Sequence, residues 1–292
     1  MVARLLWAFS SALKYCLRDD EPINFLGEDV FMSITDEGEY GIKQIMFLES
    51  VWGEGFLSPG GEEEIDLVVD GLDLSGKNIL DIGCGCGGAA FHLVRRHGAQ
   101  HVTGIDVEPL VIERANELAE QYGITDKTTF ACVEPGPLSF ADNSMDVIFS
   151  KDAFLHIPDK ESLMQDCARV LKPGGIIAAS DWMRKDDNPP SAQMQDYIES
   201  EGLDMHMCSL ERYRKALDQA GFDEIRLVDR NEWYHRKAID EVAQLKGPLR
   251  ETIIGLVGES DADHVTEIWE KMVGVLALGE HRPGHFRARL SA

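Results

Sequence analysis

Asn78-Ile79-Leu80-Asp81-Ile82-Gly83-Cys84-Gly85-Cys86-Gly87-Gly88 sets a short apolar run against a glycine-rich turn. The run ending at Ile82 reads as a buried strand, and Ala89 to His97 as the helix after it. Glycines between them let the backbone bend sharply and approach a ligand where a Cβ would collide. Downstream the alternation continues. His101 to Asp106, Thr128 to Val133, Met145 to Phe149 and Ile176 to Ser180 read as strands. Pro109 to Tyr122, with Pro in its first turn and Gly123 as C-cap, reads as a helix. Ser162 to Leu171 is a second, stopped by Lys172-Pro173-Gly174-Gly175. Such alternation predicts an α/β fold, a mostly parallel sheet with helices on both faces.

After the fifth strand the character changes. Arg184 to Pro190 is polar with a double proline, so it reads as a loop. Leu210 to Ala220 reads as a helix ended by Gly221, and Glu224 to Asp229 as strand six. About residues 231–283 the periodicity is helical (Ile253, Leu256, Val257; Val265, Ile268, Trp269, Met272), an insertion before the last strand at Phe286 to Leu290. Residues 1–60 read as an N-terminal helical cap contributing to the active site, ahead of a main domain over 61–292. Within the cap, Leu5, Phe9, Leu13 and Leu17 recur at helical spacing and predict an amphipathic helix docked on the body or on a partner subunit. The apolar run after Arg4 is short, with Lys14 and Arg18 following, so a cytoplasmic protein is expected rather than an exported one.

The 292 residues carry 28 Lys and Arg against 52 Asp and Glu, a net charge of −24 that stays strongly negative even with all nine histidines protonated. Such a surface repels phosphate backbones and anionic headgroups, which argues against nucleic acid or a membrane as partner. A small-molecule acceptor is expected, on a monomer or homodimer. Six cysteines lack paired metal-type spacing, so reduced thiols and no metal are expected.

The glycine loop reads Asp-x-Gly-x-Gly-x-Gly, with an acid ahead of its first glycine. Asp81 would repel a pyrophosphate but suits a ligand with a positive charge and an ammonium group. Asp106, ending the second strand, is positioned for ribose hydroxyls, and Glu134, past the third, for an adenine edge. With Gly104-Ile105-Asp106, Asp142-Asn143-Ser144-Met145-Asp146 and Leu171-Lys172-Pro173-Gly174-Gly175, the loop resembles class I S-adenosylmethionine-dependent methyltransferases from about residue 61 onward. The resemblance implies a Rossmann-like seven-stranded fold with S-adenosylmethionine as cofactor. Its contacts would fall at Asp81, Gly83, Gly85, Gly87, Asp106, Val107, Glu134 and Ser150.

A narrower resemblance lies in Tyr40-Gly41-Ile42, the run Val51 to Gly61, and Ser150-Lys151-Asp152-Ala153-Phe154-Leu155-His156. These are similar to phosphoethanolamine N-methyltransferases. The resemblance implies a catalytic pair at Tyr40 and His156, an acid touching the substrate amine at Asp152, and cofactor contacts at Leu57 and Ser58. An ammonium has no lone pair, so an amine must lose a proton before methylation. An imidazole, with its ordinary pKa near ~6.5, is a natural acceptor.

The phosphate end departs from that pattern. Tyr197 matches one phosphate-holding tyrosine, but the arginine position reads Glu201, another tyrosine reads Leu203, and Trp182 replaces a third. A dianion beside a carboxylate is repelled. The second half, through Cys167 to Pro173, Met207-Cys208-Ser209-Leu210 and the tail from Trp269 to Arg287, resembles sarcosine and dimethylglycine N-methyltransferases. A carboxylate substrate implied there needs a guanidinium, for which Arg184, Arg214 and Arg282 are candidates. Expected is N-methylation of a small hydrophilic amine, a glycine betaine or choline precursor. S-methylation of a thioether or thiol, as in sulfur osmolytes, and small-molecule O-methylation remain alternatives.

Overall fold

β1 (Asn78–Ile82) is buried from Ile79 onward, because it lies mid-sheet with neighbours on both edges and helices on both faces. The computed structural model describes residues 41–291; the expected Leu5–Leu17 helix and Tyr40 lie outside them. The remaining strands are β2 (His101–Asp106), β3 (Thr128–Cys132), β4 (Met145–Lys151), β5 (Leu171–Asp181), β6 (Phe222–Asp229) and β7 (Gly284–Leu290). They lie in the order β3-β2-β1-β4-β5-β7-β6, parallel except for β7, which is antiparallel to both neighbours. This is the Rossmann-like, mostly parallel seven-stranded sheet that was expected. Strand order reverses between β1 and β4, whose carboxyl ends border the crevice where such sheets bind ligands.

Helices α1 (Ile42–Trp52), α2 (Gly61–Val68), α3 (Gly88–His97) and α4 (Pro109–Tyr122) precede β3. α5 (Lys160–Val170), α6 (Ala192–Glu201) and α7 (Leu210–Gln219) lie between β4 and β6. α8 (Asn231–Lys246), α9 (Arg250–Val257) and α10 (Glu259–Ala277) form the helical insertion before β7. Ile65, Leu93, Leu118 and Phe149 belong to the core on one face of the sheet, and Leu80, Ile148, Met164 and Leu217 to that on the other. A third apolar cluster gathers Phe47 of α1, Tyr197 of α6 and Trp269 of α10 around Leu155, just past β4. It brings three separate stretches of chain over one end of the sheet.

Some boundaries moved for local reasons. α5 starts earlier than expected, because the Asp159 carboxylate accepts the Ser162 amide 2.9 Å away and caps it. Lys172 to Gly175 is no free loop: β5 already pairs at Leu171 with Met145, then skips to Ile176 opposite Val147, so the intervening residues bulge. α6, capped by Ser191, was not anticipated, since few apolar residues mark its buried face.

Candidate active site

β1 delivers Asp81 and Ile82 to a turn whose glycines 83, 85 and 87 adopt φ of 71°, 51° and 86°. A Cβ on Gly83 would stand 2.1 Å from that of Ala153, so the loop lies hard against the turn after β4. The Gly88 amide, first in α3, donates to the Gly55 carbonyl at 3.0 Å. The chain thus occupies a position that dinucleotide folds offer to phosphate. Asp106 accepts the amides of Gly85 (2.9 Å) and Glu108 (3.1 Å).

Asp81 is 1% exposed, and its Oδ2 has no hydrogen-bond partner. Burial, reinforced by the Asp106 charge and opposed by Lys151, pushes its carboxyl up to about 8. With Leu57, Ser58, Gly83, Gly85 and Lys151 it lines a cleft, open to solvent on one side, of about 340 Å³. An orphaned carboxyl oxygen is costly unless a ligand satisfies it, and a cation does so best.

Beyond β4 the chain makes a 3₁₀ turn, Phe154–His156. Buried Lys160 donates to the carbonyls of Phe154 (2.6 Å) and Ile157, and Asp181 accepts the Leu155 amide (3.1 Å) and the Tyr213 hydroxyl (2.5 Å). These side chains fix the turn that carries His156. The His156 Nδ1 lies 3.1 Å from the Asp204 carbonyl. A carbonyl only accepts, so Nδ1 carries the proton and, in the neutral ring, Nε2 the lone pair.

His156 faces a second cavity, with about 500 Å³ of empty space, whose lining includes Asp152, Trp52, Trp182, Glu201 and Trp269. Leu57 and Ser58 border both cavities, so the two adjoin. Asp152 adopts φ 54°, uncommon for a non-glycine residue. Its carboxylate lies 2.8 Å from Lys151 Nζ, which also donates to Ser58 Oγ at 2.5 Å. Glu201 is 7% exposed, and burial raises its carboxyl to about 7, against the Tyr197 hydroxyl and His156, which lower it.

The family described as "Methyltransferase domain" matches residues 73–221, about half the chain. The chain belongs to this methyltransferase family. Among curated relatives, a Triticum aestivum phosphoethanolamine N-methyltransferase is 32% identical over 273 residues, 91% of this chain and 52% of that protein. The chain therefore spans about half the length of the curated relatives it matches. A Haemonchus contortus phosphoethanolamine N-methyltransferase 2, solved with phosphomonomethylethanolamine and S-adenosylhomocysteine, shares the fold. Its TM-score is 0.80 at 24% identity over 88% of this chain and 60% of its own. A Galdieria sulphuraria structure, assigned as a sarcosine dimethylglycine methyltransferase, superposes with TM-score 0.75 at 26% identity, covering 85% of this chain and 97% of that one.

In the methyltransferase, Leu57, Ser58, Asp81, Gly83 and Gly85 line the first cavity, with Asp106 bonded to Gly85 behind it and Gly87 at the start of α3. His156, Asp152 and Trp182 line the second. Tyr197 is fully buried beneath Glu201 on α6, and Val107 and Glu134 are exposed past β2 and β3.

Four expected contacts take different roles in the structure. Ser150 is wholly buried and spends its hydroxyl on the Ile82 carbonyl (2.8 Å), bracing β4 to β1. Arg214 pairs with Glu211 on the outer face of α7, and Arg282 with Asp229 at 2.5 Å. Arg184 donates to the Asn188 carbonyl at 2.7 Å within its own loop. None of these three arginines is among the described residues lining the second cavity.

Lys151, Lys160, Glu241 and Asp181 were not anticipated from sequence. Only Asp181, a carboxylate ending an apolar strand, carried a readable signal. Asp66, His92 and His97 are the one group of metal-type ligands among the described residues. They lie at the α2–α3 contact, where Asp66 bonds both rings (2.8 and 2.7 Å) and Glu62 lies 3.4 Å from the other His92 nitrogen, an arrangement that pins the two helices together.

Proposed function

We propose that this methyltransferase transfers a methyl group from S-adenosylmethionine to the nitrogen of a small hydrophilic amine, of the ethanolamine or glycine betaine precursor type. The reading rests on one observation: an imidazole with its proton fixed on Nδ1 borders a cavity that adjoins the Asp81 cleft, the two sharing Leu57 and Ser58 in their walls. The relatives named above act on such amines by name.

Asp81, with its orphaned oxygen, would hold the donor's ammonium, and the loop from Gly83 would hold its backbone-facing edge. When bound, S-adenosylmethionine supplies a methyl carbon that passes to nitrogen as the C–S bond breaks and the C–N bond forms. The protein supplies position and proton transfer. His156 Nε2 takes the proton from the acceptor ammonium, exposing the lone pair, a contribution worth ~10²–10⁴-fold. Lys160 and Asp181 act through the turn they hold, as positioning residues.

Purified protein is given labelled donor with sarcosine, dimethylglycine, ethanolamine or phosphoethanolamine. Transfer to at least one amine is expected, with loss of most turnover in His156→Ala. No transfer to any of the four removes the reading, and a His156→Ala variant that methylates the amine normally removes His156 as its base.

A further inference from the structure

We infer that the acceptor of this methyltransferase carries no anionic group: the second cavity is built for an unphosphorylated, uncarboxylated amine such as an amino alcohol. The inference rests on the N-methylation reading above for the identity of the cavity, and goes beyond it in naming what the far end of the acceptor is.

Three observations carry it. First, apart from His156, the titratable side chains in the cavity's described lining are both carboxyls. Asp152 and Glu201 line it, and no lysine or arginine is among the described residues that do. Lys151 already neutralises Asp152 at 2.8 Å, so Glu201, on the last turn of α6, is the carboxylate left to choose what enters. Second, the walls are aromatic. Trp52 and Trp269 stand with ring centroids 5.7 Å apart and Trp182 adds a third indole, with Leu48, Leu155, Leu203 and Met205 between. Indole rings attract a cation, and of their three N–H donors those of Trp52 and Trp269 are already taken while that of Trp182 has no partner.

Third, a buried carboxylate outside the lining reinforces both. Glu241 of α8 accepts the indole N–H of Trp52 (2.9 Å) through one oxygen and that of Trp269 (3.1 Å) through the other. It fixes the orientation of two walls and adds a third carboxyl group behind them. An acceptor phosphate or carboxylate would be desolvated among these acids, with no guanidinium among the described lining residues to receive it. A hydroxyl can instead donate to Glu201, and an alkyl ammonium can lie against the indoles.

The test loads the protein with S-adenosylhomocysteine and titrates ethanolamine and N-methylethanolamine against phosphoethanolamine, sarcosine and dimethylglycine, then measures kcat/KM for each with the donor. The amino alcohols should bind and react better by about tenfold or more, since like-charge contacts in a buried interface are strongly penalised. Glu201→Gln should shrink that preference, and Glu201→Arg should invert it toward phosphoethanolamine. Retained S-adenosylhomocysteine affinity certifies that each variant is folded, and the near-isosteric glutamine keeps the test decisive should the arginine variant fail that check. A wild-type preference for the anionic amines, equal use of both classes, or no binding by either overturns the inference. Methylation of anionic amines would leave the N-methylation reading standing without it. Selective binding of amino alcohols without methyl transfer would do the reverse.

Discussion

Asp81 makes donor binding a proton-coupled event. Burial and the neighbouring Asp106 charge raise its carboxyl from 3.8 to about 8, so before donor binds it holds a proton at neutral pH. An ammonium needs the carboxylate. At pH 7 roughly one molecule in eleven is ionised, so binding should release about 0.9 proton and the apparent affinity should rise nearly tenfold between pH 6 and pH 7. The sign follows from the raised pKa: affinity climbs with pH toward about 8, where the carboxylate becomes the resident form. Titration calorimetry with S-adenosylhomocysteine, in buffers of different ionisation enthalpy between pH 6 and 7.5, reads both quantities. Asp81→Asn should bind more weakly, without proton release and without the slope. Affinity flat across that window in the wild type, or heats independent of buffer, would refute the assignment of the orphaned oxygen to a cationic partner.

Replacing His156 by alanine should lower kcat by ~10²–10⁴-fold while leaving donor affinity unchanged in calorimetry. Lys160→Met removes both bonds to the turn carrying His156, so kcat should fall at unchanged donor affinity and the turn should exchange its amides faster. Glu64, wholly buried, ties α2 to Arg230 (2.7 Å) and His285 (2.5 Å). Burial pushes its carboxyl up, but those two partners outweigh burial and hold it below its ordinary value. Glu64→Ala should therefore cost roughly 3–5 kcal/mol in denaturant unfolding. The stability contributed by the lowered pKa is fully present above the unfolded value and fades as pH falls through the folded one, so wild type and variant should converge in acid.

The sheet was legible because each central strand is a short apolar run closed by a glycine turn or a cap, and Asp81 to Gly88 allowed one strand–turn–helix reading. That Asp152, His156 and Trp182 share one candidate cavity could be anticipated because they lie close to strand ends, where chain direction fixes what faces the crevice. The three arginines lie outside the described lining of the second cavity, and each has a local partner that the spacing did not announce: Glu211 one turn away, Asp229 across the β6 end, a carbonyl four residues on. Glu241 was invisible for the opposite reason. Its partners are 189 and 28 residues distant, and nothing in the helical pattern of α8 distinguishes a glutamate that turns inward.

The most direct measurement is a crystal structure with S-adenosylhomocysteine and an amino alcohol bound together. The account predicts the ammonium of the nucleoside on Asp81, its sulfur facing the tryptophan-walled cavity between Leu57 and Ser58, and the acceptor nitrogen within hydrogen-bond reach of His156 Nε2. An acceptor seated elsewhere, or a His156 ring turned away from it with Nδ1 released from Asp204, would contradict it.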